Sequence, residues 1–224
     1  MRGERAVFLA VLVGLASFAA PGANLPRDPR DVPMAARLEF TRAKADLDGD
    51  GVPEGIVLVS ALTGEKDATR GSEVILGLVD ARAGGDRGPL TWARHVMQET
   101  GQPAHGGDIT AVDLDGDGRS ELILTWNRSL SARKVERWAE IYGGDPRAPR
   151  RIWEGWWERD TRRDPQTPAG DREWVRREVD YGATRREAGR ALVLRKIHGM
   201  AAGRALEPPR EAPERIDVPL RGGA

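Results

Sequence analysis

The string Asp46-Leu47-Asp48-Gly49-Asp50-Gly51-Val52-Pro53-Glu54 runs directly into the apolar stretch Gly55-Ile56-Val57-Leu58-Val59-Ser60. It returns almost unchanged as Asp113-Leu114-Asp115-Gly116-Asp117-Gly118-Arg119-Ser120-Glu121, ahead of Leu122-Ile123-Leu124. Acidic side chains at positions 1, 3, 5 and 9 converge only if the backbone folds tightly between them, and glycines at positions 4 and 6 permit that fold. A short, continuous apolar run with β-branched residues reads as a buried strand. Each acidic loop therefore joins two strands, and the chain reads as all-β.

The two loops begin 67 residues apart, and a further 67 residues leads to Asp180, in Arg177-Glu178-Val179-Asp180-Tyr181-Gly182, ahead of Ala191-Leu192-Val193-Leu194. This reads as a third, decayed unit in which Gly182, Thr184 and Ala188 replace liganding acids. The first unit predicts strands at 37–43, 55–60, 73–79 and 90–96. The second predicts them near 108–113, 121–126, 134–142 and 150–157, and the third near 173–180 and 190–197. Gly, Asp and Pro punctuate the joints, as in Gly143-Gly144-Asp145-Pro146.

Four carboxylates in nine residues repel one another by about 1 to 4 kcal/mol per close pair, so such a loop closes best around a cation. Ca²⁺ accepts six to eight oxygens in flexible geometry. The expected ligands are the side chains of Asp46, Asp48, Asp50 and Glu54 with the carbonyl of Val52, and those of Asp113, Asp115, Asp117 and Glu121 with the carbonyl of Arg119. Mg²⁺ prefers a strict octahedron and fits less well. An EF-hand needs an acid at position 12, where this chain has Val57 and Leu124.

An acid at position 9 followed at once by an apolar strand resembles instead the FG-GAP/VCBS repeats of integrin-α-like β-propellers and secreted bacterial proteins. The resemblance rests on Ala45 to Val59 and Val112 to Thr125. It implies calcium bound between adjacent strands of a four-stranded blade. The chain lacks clear Phe-Gly and Gly-Ala-Pro signatures, and three units are too few for a closed propeller. The expected fold is about three four-stranded, propeller-blade-like repeats forming a partial propeller or a sandwich-like β domain. Its boundaries are 36–206, with units near 36–100, 101–167 and 168–206, a linker at 21–35 and an irregular tail at 207–224.

Residues 1–20 read as a Sec-type signal peptide: Arg2 and Arg5 precede the apolar run Ala6 to Leu15, and Ser17 and Ala19 flank a cut site. The body is then periplasmic or extracellular, with no stable membrane insertion after cleavage. The chain has no cysteine, which removes a lipoprotein anchor, thiolate metal sites and disulfides together. Residues 20–132 hold 12 basic and 18 acidic side chains, and residues 133–224 hold 21 and 16. Eight of those 18 acids are the two loops, and the later arginines alternate with acids, so no nucleic-acid surface is expected.

Trp153, Trp156 and Trp157 read mainly as core, with one of the adjacent pair Trp156 and Trp157 facing outward as a partner contact. His95, His105 and His198 read as structural or surface residues. No catalytic or phosphate-cradling motif is present. The leading expectation is a non-enzymatic calcium-binding scaffold for a protein or glycan partner. The alternatives are an envelope inhibitor or immunity-type protein that binds an enzyme, and a polysaccharide hydrolase or lyase. The last would need an acidic pair outside the loops, such as Asp160 with Asp164 or Glu173.

Overall fold

Strands form where the apolar runs and alternating segments predict them, and in a computed structural model they assemble into two antiparallel sheets that do not close into a barrel. The structure describes residues 26–34, 37–62, 72–100, 104–131, 133–202, 205–206, 210–217 and 220. The expected signal peptide, residues 1–20, lies outside these. Among the described residues no helix is long and apolar enough to cross a membrane.

The first sheet is a four-stranded meander of β1 (Arg37–Ala45), β2 (Glu54–Leu62), β3 (Ser72–Val79) and β4 (Leu90–His95). The second begins as another meander, β5 (His105–Val112), β6 (Glu121–Ser131), β7 (Lys134–Gly143) and β8 (Arg150–Asp160). It continues through β9 (Glu173–Val179) and β10 (Leu192–Ala202). It ends with the two-residue β11 (Ala205–Leu206) and β12 (Arg210–Ile216), both against β10. Two short helices, α1 (Val96–Thr100) and α2 (Tyr181–Arg186), follow β4 and β9.

Side-chain alternation sorts the strands into stacked layers. Ile56, Leu58, Val74, Leu76 and Leu78 of the first sheet pack against Leu122, Leu124, Trp126 and Tyr142 of the second. The opposite face of β2 and β3, with Val57, Val59 and Ile75, is covered by Val32, Phe40 and Leu90. This leaves all eight residues of β3 buried, which is why its sequence does not alternate. On the far side of β6 and β7, Ile123 and Ile141 meet Val179, Leu192 and Leu194 from β9 and β10. The second sheet therefore folds back over itself.

The fold-back occurs where β8 meets β9 across only three residue pairs, from Glu158↔Arg176 to Asp160↔Trp174. The third expected unit is thus hydrogen-bonded to the second rather than separate from it. Two other expectations differ. Residues 210–216, expected in an irregular tail, pair with β10 from Leu192↔Ile216 to His198↔Arg210. The expected linker contributes a helical turn at Pro29–Asp31, and Val32 is 1% exposed against the first sheet.

A polar knot also ties the two sheets. Arg94 of β4 donates to Glu140 of β7 from Nε (3.1 Å) and Nη2 (2.8 Å), and Tyr142 Oη donates to the same carboxylate at 2.6 Å. Arg151 Nη1 donates at 3.3 Å, and Glu99 caps the other side of Arg94. Burial pushes the Tyr142 phenol far above its ordinary range, and the neighbouring Glu140 charge adds to that.

Candidate metal centres

The acidic strings form the β1–β2 and β5–β6 connections at the same end of the stacked layers, and they fold alike. Gly49 N–H donates to Asp46 Oδ1 (2.7 Å) and Gly51 N–H to Asp46 Oδ2 (2.8 Å). In the second loop Gly116 N–H donates to Asp113 Oδ1 (2.6 Å) and Gly118 N–H to Asp113 Oδ2 (3.0 Å). Val52 N–H donates to Asp50 Oδ1 (2.7 Å), as Arg119 N–H does to Asp117 Oδ1 (2.9 Å). Gly49, Gly51, Gly116 and Gly118 all have φ between 78° and 88°, the left-handed region that their lack of Cβ makes inexpensive.

Position 2 anchors each loop. Leu47 and Leu114 are buried in successive inter-layer cores, and their N–H groups donate to Glu54 Oε2 (2.8 Å) and Glu121 Oε2 (2.9 Å). The result gathers one donor oxygen from each of Asp46, Asp48 and Asp50 within 4.8 Å of one another, and likewise from Asp113, Asp115 and Asp117. Glu54 and Glu121 stand outside these triads, behind them. Glu121 is 4% exposed, with the Leu114 N–H as its hydrogen-bond donor. Burial pushes its carboxyl up to about 7, and the three aspartates push the same way against the opposing N–H. Glu54 is raised for the same first cause.

A hard cation fits this donor set. Oxygen ligands converge, each carboxylate keeps lone pairs beyond those its N–H donors occupy, and a buried glutamate lies behind each triad. In the first loop a side chain competes for that role: Arg82 pairs with Asp50 and lies 4.0 Å from Asp48. The Asp80 carboxylate holds this turn by accepting from Arg82 N–H at 3.0 Å. Beside the first loop opens a hollow of about 420 Å³, lined by Arg82, Arg119 and Arg147 together with Asp48, Glu54 and Asp145.

The loops also touch each other. Ser120 N–H donates to the Asp46 carbonyl at 2.8 Å, and the Arg119 side chain fills the space a Cβ on Gly49 would need, its Cγ 2.8 Å away. One layer on, Arg185 Nη2 donates to the Asp113 carbonyl at 3.3 Å. Asp180 stands where the decayed loop was expected. Its Oδ1 accepts from Ala183 N–H (2.9 Å), capping α2 with the same three-residue reach as Asp46 to Gly49 and Asp113 to Gly116. Sequence reading missed these inter-loop contacts, because no local spacing encodes them.

The remaining candidates fall elsewhere. Asp160 pairs with Arg162, which holds its carboxyl below the usual range. Asp164 accepts from Gln166 N–H and the Thr167 hydroxyl, and Glu173 pairs with Arg159. Trp153 and Trp157 stack edge to face at 6.1 Å against the core of the fold-back. Trp156 meets Trp138 at 4.9 Å on the opposite face, where Arg128 lies 3.8 Å above the Trp138 ring. Compared with protein-family models, curated proteins and solved structures, the chain matches none.

Proposed function

We propose that this chain is a non-enzymatic, calcium-stabilised β scaffold of the FG-GAP/VCBS kind, working outside the cytoplasm and presenting a surface to a protein or glycan partner. The observation that carries the reading is the pair of aspartate triads, each gathered within 4.8 Å at a strand-to-strand connection with a buried glutamate behind it. The meanders β1–β4 and β5–β8 are then equivalent blade-like units. The matching Asp46, Asp113 and Asp180 hydrogen bonds at 67-residue intervals support a third, β9–β12 unit that has exchanged its cation for a helix. Calcium here is structural. It neutralises carboxylates that otherwise repel, and it fixes the hollow beside the first loop, where a partner would meet Arg82, Arg119 and Arg147.

The reading is tested by thermal unfolding with and without chelator. Sites of the affinity usual for extracellular modules, a Kd of about 10⁻⁴ M, would each add about 2.7 kcal/mol at a hundredfold excess of calcium. Two sites in a domain of this size correspond to a rise in Tm of about 10 to 20 °C. A Tm indifferent to EDTA and to added calcium, with no heat of calcium binding, would refute it.

A further inference from the structure

We propose that the two calcium loops bind as one cooperative unit, coupled through the single peptide group between Arg119 and Ser120. The inference rests on the calcium reading above and adds how the two sites regulate each other. In the calcium reading the two ends of that peptide belong to different sites. Its carbonyl, from Arg119, is the position-7 oxygen assigned to the second cation. Its N–H, from Ser120, donates at 2.8 Å to the carbonyl of Asp46, the residue that opens the first loop and supplies its position-1 carboxylate.

A cation drawing on the Arg119 carbonyl fixes the plane of the peptide and polarises it, which strengthens the N–H as a donor to Asp46. The Arg119 side chain adds a second link, seated against Gly49 with its Cγ 2.8 Å and its Nε 3.0 Å from where a Cβ would stand. Filling the second loop therefore pre-forms the first. Coupling of this kind is reciprocal, so filling the first must tighten the second by the same factor. The arrangement has a direction along the layers. The Asp113 carbonyl of the second loop is gripped by Arg185, from the segment that carries no triad, so that loop is braced without a cation beyond it.

The chain itself supplies the variant that separates coupling from binding. Position 8 is Ser120 in the second loop and Pro53 in the first, so the loop backbone accommodates proline there. Proline has no N–H. Ser120→Pro thus removes the donor to Asp46 while leaving the ligands of both loops in place.

The test is calcium titration calorimetry on the full chain. In the wild type the first loop binds at least about 5-fold more tightly once the second is filled, the low end of ordinary coupling. In Asp115→Asn, the surviving first loop shows the weaker affinity. In Asp48→Asn, the surviving second loop is weakened by the same factor. In Ser120→Pro, both loops still bind, with the coupling reduced toward unity, and circular dichroism confirms that the variant is folded. Two independent sites in the wild type, or coupling undiminished in a folded Ser120→Pro, overturns the coupling while leaving calcium binding intact. Absence of any calcium heat in the wild type overturns the calcium reading and the coupling with it.

Discussion

Replacing Glu140 should cost this protein more stability than removing any exposed ion pair. The Glu140 side chain is fully buried between the sheets, and Arg94, whose side chain is 8% exposed, has it as a two-pronged partner. Glu140→Leu leaves that guanidinium with the half-exposed Glu99 as its carboxylate partner, and strips the acceptor from the Tyr142 hydroxyl. Breaking a buried pair by deleting one member costs about 3 to 5 kcal/mol. At about 2 to 4 °C per kcal/mol for a domain of this size, Tm falls by roughly 6 to 20 °C. The assay is thermal and urea unfolding of the wild type, Glu140→Leu, and the triple variant Glu140→Leu, Arg94→Met, Tyr142→Phe. Because removing the three buried members together leaves no buried group unpaired, and Arg151 and Glu99 reach solvent, the triple variant recovers most of the loss. A single variant within about 1 kcal/mol of wild type, or a triple variant worse than the single, would show that the knot does not hold the sheets.

Three further outcomes follow from particular contacts. Burial depresses both His95 and His105 below their ordinary 6.5, so between that value and the folded one the unfolded chain holds protons that the folded chain refuses. Their contribution is complete above about pH 6.5 and is lost as pH falls, by up to about 1.4 kcal/mol per pH unit for each. His105→Gln should flatten this acid slope in urea titrations at pH 5 to 8, and the difference from wild type isolates the effect from Glu121, whose raised carboxyl slopes the other way. Gly77→Ala places a methyl 2.7 Å from Pro29 Cγ and 3.0 Å from Leu90 Cδ1, and should cost about 1 to 3 kcal/mol while easing proteolysis ahead of β1. Arg82→Ala frees Asp50 of its built-in counter-ion and should tighten calcium at the first loop about 2- to 5-fold in calorimetry, in line with a partly exposed ion pair.

The parts of this fold that could be read from sequence are those whose cause is local. The loops are legible because φ-permissive glycines and alternating acids sit in one nine-residue window. The strand β3 is legible because burial on both faces demands an unbroken apolar run. β12 is not legible. Arg210-Glu211-Ala212-Pro213-Glu214-Arg215 has the composition of a solvated tail, and it is a strand only because it lies on an edge, where Pro213 opposite Arg195 is tolerated and charge deters further pairing. The Arg94–Glu140 knot joins residues 46 apart and leaves no periodic trace. The fold-back at β8–β9 was hidden for another reason: three residue pairs suffice to join sheets, and nothing in Glu158-Arg159-Asp160 distinguishes pairing from a loop.

The β9–β10 connection shows how a joint of this kind closes without an acidic loop. Asp180 accepts from the N–H three places on, as Asp46 and Asp113 do, and the positions after it form helix α2, whose own backbone bonds hold the turn closed. A strand connection at this place can thus be closed without metal. The helix solution spends its length internally and offers its neighbour only a side chain, Arg185, whereas the acidic loop offers its neighbour a backbone N–H at 2.8 Å. Under the proposed function, the loop between the first two layers gives a backbone-to-backbone junction that is conditional on a cation. The end of the stack bearing the first loop and its hollow is the part such a condition would control.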